Sequence, residues 1–393
     1  MKILVLTRTG IALGIAQRLS LEGHDVEVYS DTLALQATGG AIYSITDNLW
    51  KSVQECKFIV SDSGNWPTIY KRASTYNKPI IGCNEFADQI NGDSVKEYEL
   101  FSRLGSKYAK SEIYTESIGL HPKLLDGNTN RYYIKVGRRV FVCTKPEWLA
   151  WAMYQLPVSE KILLQEEVIG QDVSIVGWFN GLNWLKPFFY STPESSNIGA
   201  IAMLSQKSSN RLTEKTIEPL KKALKMFDYK GPVTVSLIAN ESDVYIKNVY
   251  LGFTAPCVFA MVEGLKDLPL SDFLNMLAFG SNTDIVVSHD YLVGIEVANT
   301  EADMRGAPIL GIEQGNLDHI FFHGVYKDGE SYLMSGESEA VYTAVAHGRD
   351  LIEASKRVYR TIGEVQFPNM KFLTNLQGQM STTFNHLKGW SII

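Results

Sequence analysis

The sequence predicts a mixed protein in which a doubly wound α/β domain is followed by α+β regions. Strand and helix patterns alternate through the first hundred residues, and strand-rich patterns suited to antiparallel pairing follow from about residue 101. At 393 residues the chain is also too long for one ordinary hydrophobic core. We therefore expect an N-terminal doubly wound domain over residues 1–100, a central region over 101–290 and a C-terminal α+β domain over 291–393.

The N-terminal hundred residues alternate apolar runs with amphipathic stretches. Strands are predicted at Lys2–Thr7, Asp25–Tyr29, Phe58–Ser61 and Pro79–Gly82, and helices at Gly10–Ser20 and Pro67–Tyr76. This order is typical of a parallel sheet, whose ligands bind at the carboxyl ends of its strands. Thr9 and Gly10 follow the first strand and open the first helix, so their backbone N–H groups are candidate ligands of a phosphate. A plain strand-to-helix turn fits equally well, and a single glycine is a poor match to a dinucleotide-binding fingerprint.

The central stretch Ile162–Trp178 has the pattern of a strand, a polar hinge and a second strand. Its acids are Glu166, Glu167 and Asp172, which lie on either side of Gly170. A strand end with adjacent carboxylates can border an adenine ring, and a further acid can bind the hydroxyls of a ribose. Taken alone, the stretch is more typical of a hairpin whose acids are solvated, and the nucleotide hinge is the alternative.

Further strands and helices are predicted on either side of this hinge. Arg131–Val136 is a strand pattern in which Lys135 stands between apolar neighbours, where a lysine has little structural use unless an anion meets it. The other predicted elements are a helix at Pro146–Tyr154, a hairpin of Val233–Ile238 with Val244–Val249, a turn at Asn180-Gly181 between Trp178 and Trp184, strands at Gly294–Ala298, His319–Val325, Ser331–Ser335 and Ala340–Ala346, and a helix at Arg349–Thr361.

Composition and charge argue against several classes of protein. The formal net charge is -6 without a block of like charge, which argues against a nucleic-acid surface. No apolar run reaches the roughly 18 residues of a membrane span, and the N-terminal stretch lacks the pattern of a secretory signal. The four cysteines are far apart and form no CxxC pair, so we expect buried thiols in a reducing cytoplasm.

Several motifs occur in the order in which one family of ligases has them. They are Lys2–Gly10, Gly82–Asn84, Gln89–Gly92, Tyr133–Lys135, Glu166–Ser174, Asn197–Ala200, Ile246–Gly252, Glu353–Tyr359 and Gly389-Trp390. The stretch Glu353–Tyr359, EASKRVY, is nearly identical to the family's Glu-Ala-x-Lys-Arg-x-Tyr helix. On these residues the chain resembles glycinamide ribonucleotide synthetase (phosphoribosylamine–glycine ligase), of the ATP-grasp superfamily.

The resemblance implies the ATP-grasp fold, in which residues 101–290 form a two-part nucleotide clamp with a lid at about 108–175. It also implies ATP and Mg²⁺ as cofactors, an amino acid and a phosphoribosyl amine as small-molecule substrates, and a monomer or homodimer. The residue roles that it implies are phosphate contact and catalysis for Lys135, adenine contact for Glu166 and Glu167, ribose contact for Asp172, magnesium ligation for Asn248, and substrate contact for Asn197 and Gly199.

The sequence departs from the family pattern at two functional motifs. The family's glycine-rich phosphate loop corresponds to Val136-Gly137-Arg138-Arg139, where Arg138 and Arg139 could hold phosphate with their side chains instead. The family's metal-binding glutamate corresponds to Ile246, which cannot ligate an ion and would crowd its hydration shell. Two functions therefore stay open. The chain is either an ATP-dependent carboxylate–amine ligase or a non-catalytic descendant that binds a nucleotide, a phosphoribosyl compound or a partner protein.

Overall fold

The structure is a computed structural model that describes residues 1–32, 35, 38–115, 131–156, 160–192, 199–265, 267–281, 283–301, 304–336, 339–376 and 378–393. Its strands are β1 Lys2–Leu6, β2 Asp25–Tyr29, β3 Ser44–Ile45, β4 Ile59–Ser61, β5 Ile80–Gly82, β6 Ser111–Tyr114, β7 Tyr132–Val136, β8 Arg139–Cys143, β9 Ile162–Glu166, β10 Gln171–Asn180, β11 Trp184–Ser191, β12 Ala200–Gln206, β13 Lys230–Ala239, β14 Val244–Leu251, β15 Tyr291–Asn299, β16 Pro308–Ile309, β17 Ile320–Phe322, β18 Val325–Asp328, β19 Ser331–Met334, β20 Ala340–Gly348 and β21 Met370–Lys371. Its α-helices are α1 Ile11–Leu21, α2 Leu49–Glu55, α3 Pro67–Thr75, α4 Glu85–Asn91, α5 Ser94–Arg103, α6 Pro146–Tyr154, α7 Arg211–Thr216, α8 Lys221–Met226, α9 Cys257–Glu263, α10 Leu270–Phe279, α11 Gln314–Leu317, α12 Leu351–Glu364 and α13 Gly378–Gly389.

The N-terminal part is a parallel sheet with strand order β3-β2-β1-β4-β5. Its central strand β1 has apolar residues on both faces, and Ile3, Leu4, Val5 and Leu6 are completely buried. Because both faces of β1 are buried, its sequence is a continuous apolar run and does not alternate between apolar and polar residues. This sheet is the doubly wound domain that the sequence predicts.

Two antiparallel sheets follow, and the stretch Ile162–Trp178 connects them. The smaller sheet has the order β6-β9-β7-β8 and lies within the range predicted for the lid. The larger sheet has the order β14-β13-β10-β11-β12-β15-β20-β17, with β21 paired to β15. Since β9 belongs to the smaller sheet and β10 to the larger one, the stretch is a hinge between sheets. The hairpin that the stretch alone favours is wrong, because β9 pairs with β6 and β7 whereas β10 pairs with β11 and β13.

The larger sheet crosses the predicted boundary at residue 290. Strand β12, before the boundary, pairs with β15, after it, so the central and C-terminal regions share one sheet. The single strand predicted at His319–Val325 is wrong. It is divided at His323-Gly324 into β17, which pairs with β20, and β18, which pairs with β19 in a separate three-stranded sheet.

Helix α1 joins the N-terminal domain to the edge of the larger sheet. The buried Gln17 side chain donates to the carbonyl of Ile320 at 3.1 Å and accepts from the N–H of Phe322 at 2.7 Å. It thus satisfies two backbone groups of the edge strand β17 as a neighbouring strand would. All four cysteines are buried free thiols, as predicted. Among the described residues, no helix combines the length and apolar character that spanning a membrane requires.

Candidate functional site: a cleft where three sheets meet

A cavity of about 560 Å³ lies where the N-terminal domain and the two antiparallel sheets meet. Its lining residues are Thr9, Asp62, Ser63, Gly64, Cys83, Ile90, Asn91, Ser94 and Glu97 from the N-terminal part, Tyr133, Lys135, Gly137, Arg138, Val140 and Gln165 from the smaller sheet, and Ser236, Lys247, Asn248 and Tyr250 from the larger sheet. The cavity includes three cationic side chains, those of Lys135, Arg138 and Lys247. Of the residues that the sequence singled out, it brings together Thr9, Lys135, Arg138 and Asn248.

Lys135 lies on β7 and is nearly buried, with 7% of its surface exposed. Its ammonium donates a hydrogen bond to the backbone carbonyl of Lys247 on β14. Burial lowers the pKa of Lys135, and the negative charge of Glu97 partly opposes that effect. The argument that Lys135 lacks structural partners is therefore wrong, although its role towards phosphate stays a prediction.

Glu97 is a buried carboxylate on α5 that the sequence did not single out. It accepts a hydrogen bond from the Tyr108 hydroxyl at 3.0 Å. Burial raises the pKa of Glu97 to about 7, against the lowering effects of Lys135, the Val249 N–H and Tyr108. A cationic neighbour and two hydrogen-bond donors make such a buried carboxylate tolerable.

A β-bulge on β14 decides which side chains face the cleft. Ser236 of β13 pairs with Asn248, but the next residue, Leu237, pairs with Ile246, so Lys247 is the extra residue. Ile246 is 1% exposed and packs in the hydrophobic core, whereas Lys247 and Asn248 both line the cavity. The prediction that Ile246 would crowd an ion in the site is thus wrong, because its side chain points away from the cleft.

The three acids of the hinge each pair with a cation. Lys110 Nζ lies 2.8 Å from Glu166 Oε1, Arg131 Nη1 lies 3.2 Å from Glu167 Oε2, and Lys247 Nζ lies 2.6 Å from Asp172 Oδ1. None of the three acids lines the cavity itself, and Asp172 is linked to it through Lys247.

The backbone of the hinge is partly occupied as well. The N–H groups of Glu166 and Glu167 donate to the carbonyls of Lys110 and Arg131. An adenine ring edge would have to use other backbone groups of the hinge. Adenosine contact by these residues stays a prediction.

The turn at Thr9 and Gly10 is capped from within the protein. Gly10 has a φ of 82°, and its N–H donates to Thr7 Oγ1 at 2.9 Å. The fully buried carboxylate of Asp62 accepts from the N–H groups of Arg8 and Ala12 and from the Thr7 hydroxyl. Asp62 therefore occupies the N-terminus of α1, where an external phosphate was expected to bind. Phosphate contact at Thr9 and Gly10 stays a prediction. The phosphate would have to bind groups other than the N–H groups of Arg8, Gly10 and Ala12, which already donate within the protein.

The turn between β7 and β8 consists of only Gly137 and Arg138. Gly137 adopts a φ of 54°, and its carbonyl accepts from the Ser94 hydroxyl at 2.9 Å. The turn is thereby attached to the N-terminus of α5. The Arg138 guanidinium is largely exposed and lies 4.0 Å from Asp88 Oδ1. This turn can therefore contact a phosphate through the Arg138 side chain and not through a glycine-rich loop.

Of the remaining candidates, Gly199 lies away from the cavity and Cys83 has the wrong chemistry. Gly199 is placed at the start of β12, where its carbonyl accepts from the N–H of Glu296, and Asn197 lies outside the described residues. Cys83 does line the cavity, but burial raises its pKa to about 12, which does not suit a nucleophilic thiolate.

The residues around Asn248 do not fit the magnesium ion that the resemblance implies. Magnesium in nucleotide sites is usually held by one or two carboxylates in addition to phosphate oxygens. Among the described residues that line the cavity, the carboxylates are Asp62 and Glu97, and both are buried and occupied by donors within the protein. No cluster of three or more His, Cys, Asp or Glu side chains in the described part of the chain is arranged to hold a metal ion.

Comparison with known proteins identifies the fold. No family model and no curated protein matches the sequence. Among solved structures, phosphoribosylamine–glycine ligase from Thermotoga maritima superposes with a TM-score of 0.72 at 17% identity, over 95% of this chain and 99% of that one. The chain has the ATP-grasp fold. The hinge between β9 and β10 joins the two antiparallel sheets, and the predicted resemblance is confirmed at the level of the fold.

Two further structures with this fold were solved with nucleotides. Biotin carboxylase from Campylobacter jejuni, a complex with β,γ-ATP, has a TM-score of 0.65 at 13% identity and covers 99% of this chain and 95% of its own. The biotin carboxylase domain dimer of 2-oxoglutarate carboxylase from Hydrogenobacter thermophilus, a complex with MgADP, ADP and bicarbonate, has a TM-score of 0.64 at 13% identity, with 94% and 91% covered.

Sequence reasoning missed Asp62, Glu97, Tyr133 and Lys247 as lining residues. Lys247 lies between Ile246 and Asn248, the two positions that correspond to metal ligands of the resembled family. In a regular strand its side chain would point to the opposite face from theirs. The hairpin of β13 and β14 was predicted, but the pattern of β14 alone does not show the register shift that makes Lys247 the extra residue opposite Ser236 and Leu237.

Proposed function

We propose that the protein is an ATP-dependent ligase that joins a carboxylate to an amine and binds ATP in the cleft between the three sheets. The observation that carries this proposal is the position of Lys135, Arg138 and Lys247 around one cavity of about 560 Å³ beside the hinge of the clamp. This volume lies within the range of roughly 300–1,000 Å³ that is usual for small-molecule sites. Three cationic side chains suit the charge of a triphosphate.

In a ligase of this type, the carboxylate oxygen attacks the γ-phosphate of ATP, and ADP leaves. The amine then attacks the acyl phosphate, and inorganic phosphate leaves as the amide forms. We propose that Lys135, Arg138 and Lys247 hold the phosphates, and that the two sheets of the clamp keep water from the acyl phosphate. Small molecules are the proposed substrates, with an amino acid and a phosphoribosyl amine, or analogues of them, as the finer proposal. The cytoplasm is the proposed compartment.

A second candidate is a protein that binds a nucleotide without turning it over. Two observations favour it: Ile246 is buried in the core, and the turn at Gly137 and Arg138 is too short to close over phosphates. These two features replace the metal-binding glutamate and the glycine-rich loop, which activate the γ-phosphate in the resembled family. Neither feature closes the cleft to a nucleotide.

Two measurements decide between the candidates. Calorimetry with an ATP analogue should show saturable binding at millimolar ligand or below under both proposals. ADP release should then be followed with a panel of carboxylates and amines that includes glycine and phosphoribosylamine. Turnover with one pair supports the ligase, binding without ADP release from any pair supports the second candidate, and absence of binding contradicts both.

We expect weak or absent turnover with glycine and phosphoribosylamine. Among the described residues that line the cleft, no carboxylate is free to hold a metal ion beside Asn248. A rate with this pair of about 1 per second or faster, which is ordinary for enzymes, would show that the altered residues do not limit this chemistry.

A further inference from the structure

We propose that the cleft binds the phosphates of its ligand without a divalent cation, and that the Lys247 ammonium supplies the positive charge in its place. This inference rests on the proposed binding of a nucleotide in the cleft. It concerns a departure of this chain from the ATP-grasp enzymes that it resembles.

The bulge changes the charge that β14 presents to the cleft. In a regular strand, residues 246 and 248 would point to the same face and residue 247 to the other. Here Ile246 packs in the core, and Lys247 and Asn248 both line the cavity. The strand therefore presents an ammonium and an amide where the resembled family presents a carboxylate and an amide.

The two carboxylates that line the cleft are unsuited to bind a magnesium ion. Asp62 is completely buried and accepts three hydrogen bonds from Thr7, Arg8 and Ala12. Glu97 is 4% exposed, accepts from Tyr108 and interacts with the charge of Lys135. A magnesium ion beside Asn248 would find no free carboxylate among the described residues of the cavity, and the Lys247 ammonium would repel it.

The Lys247 side chain is held in position by its neighbours. Its Nζ lies 2.6 Å from Asp172 Oδ1 and 6.0 Å from the centre of the Tyr133 ring, over which it lies. About a third of the side chain remains exposed. A lysine is a compact point charge with three donors, so it can bind a phosphate oxygen while it keeps its contact with Asp172.

The test compares nucleotide binding in buffers with magnesium and with EDTA. Calorimetry should use a non-hydrolysable ATP analogue and, separately, adenosine. For the unaltered protein we expect the dissociation constant of the analogue to agree within about threefold between the two buffers. In EDTA, Lys247→Met should weaken analogue binding by about tenfold or more, as is usual for a hydrogen bond to a charged group, and should leave adenosine binding unchanged within about twofold.

Lys222→Met is the matched control, because Lys222 is an exposed lysine on α8 that does not line the cleft. Lys247→Arg keeps the charge and should retain most of the affinity, which separates loss of charge from a damaged fold.

Analogue binding that weakens more than tenfold in EDTA would overturn the inference and leave the proposed function intact. Equal effects of Lys247→Met and Lys222→Met would overturn the role of Lys247. Failure of both the analogue and adenosine to bind in either buffer would overturn the proposed function together with the inference.

Discussion

At the scale of single residues, Asp172 has two candidate roles that make opposite predictions. The resemblance assigns it to the ribose hydroxyls, and the structure pairs it with Lys247 at 2.6 Å. If it binds the ribose, Asp172→Ala should weaken binding of adenosine and of an ATP analogue alike, by about 1.5–3 kcal/mol. If it only neutralises Lys247, the same change should leave adenosine unaffected and strengthen binding of the charged analogue. We expect the first result, and calorimetry with both ligands distinguishes the two.

Lys135 provides a second residue-scale prediction. Lys135→Met should abolish ADP formation if the protein is a ligase, because the Lys135 ammonium is proposed to hold the phosphates of ATP. It should also lower the stability of the fold, because the buried Glu97 would lose its cationic neighbour. The Lys247 carbonyl would also lose its donor, and a buried group left without its partner typically costs about 1–3 kcal/mol, which a denaturant titration would measure. The double variant with Glu97→Gln should recover part of this loss; a double variant no more stable than Lys135→Met would contradict an electrostatic interaction between the two residues.

At the scale of the elements, the bulge on β14 predicts the outcome of restoring the family's carboxylate. Because Ile246 points into the core, Ile246→Glu would bury a charge instead of adding a ligand to the cleft. We expect a loss of roughly 3 kcal/mol or more in unfolding free energy and no gain in magnesium dependence of nucleotide binding. Asn248→Asp places a carboxylate in the cleft itself and is the control. A stable Ile246→Glu variant with magnesium-dependent binding would show that β14 has the regular register.

The attachment of α1 to β17 is a second element-scale feature. Gln17→Ala leaves the Ile320 carbonyl and the Phe322 N–H buried without their partner, at a cost of about 1–3 kcal/mol for each group. We therefore expect a clear drop in the midpoint of chemical denaturation. Gln89→Ala, at an exposed glutamine on α4, should change it little. Equal midpoints for the two variants would contradict the role of Gln17 at the sheet edge.

The predicted and observed strands and helices differ in ways that show which features a single sequence can predict. Strands β1, β2 and β10 and helix α6 could be predicted because their patterns are local, either apolar runs or regular alternation with clear ends. The partner of β9 could not, because the same strand–hinge–strand pattern suits a hairpin and a clamp. The predicted Lys135, Arg138 and Asn248 do line the cleft. The capping of the α1 N-terminus by Asp62 depends on a residue 50 positions away from Ala12, and the bulge at Lys247 depends on the register between β13 and β14.

At the scale of the whole molecule, a partly buried ionic cluster connects α9 with the C-terminal part of the larger sheet. His319 Nδ1 and His347 Nδ1 lie 2.8 and 3.2 Å from Glu263 Oε1, and His289 stacks on His347. The hydrogen bond to Glu263 raises the pKa of His319, with smaller effects of Arg18 and Asp318. Burial alone would raise the pKa of Glu263, but its two histidine partners outweigh burial and lower it.

This cluster predicts a pH dependence of stability. Because the pKa of His319 is raised in the folded state, its contribution is fully present below pH 6.5, the ordinary value, and is lost as the pH rises through the raised pKa. The lowered pKa of Glu263 adds stability above pH 4.5 that is lost on acidification. Since His319 is 43% exposed, we expect the difference between the unaltered protein and His319→Gln to be at most about 1 kcal/mol. Denaturant titrations at pH 6 and pH 8.5 should show that difference shrinking at the higher pH, and a difference that grows with pH would contradict the assignment.

The central claim is that the cleft between the three sheets binds a nucleotide, and a crystal structure with an ATP analogue at millimolar concentration tests it most directly. We expect the adenine next to the hinge at Glu166 and Glu167 and the phosphates next to Lys135 and Lys247. A nucleotide bound elsewhere, or an empty cleft under conditions in which calorimetry shows saturation, would contradict the account.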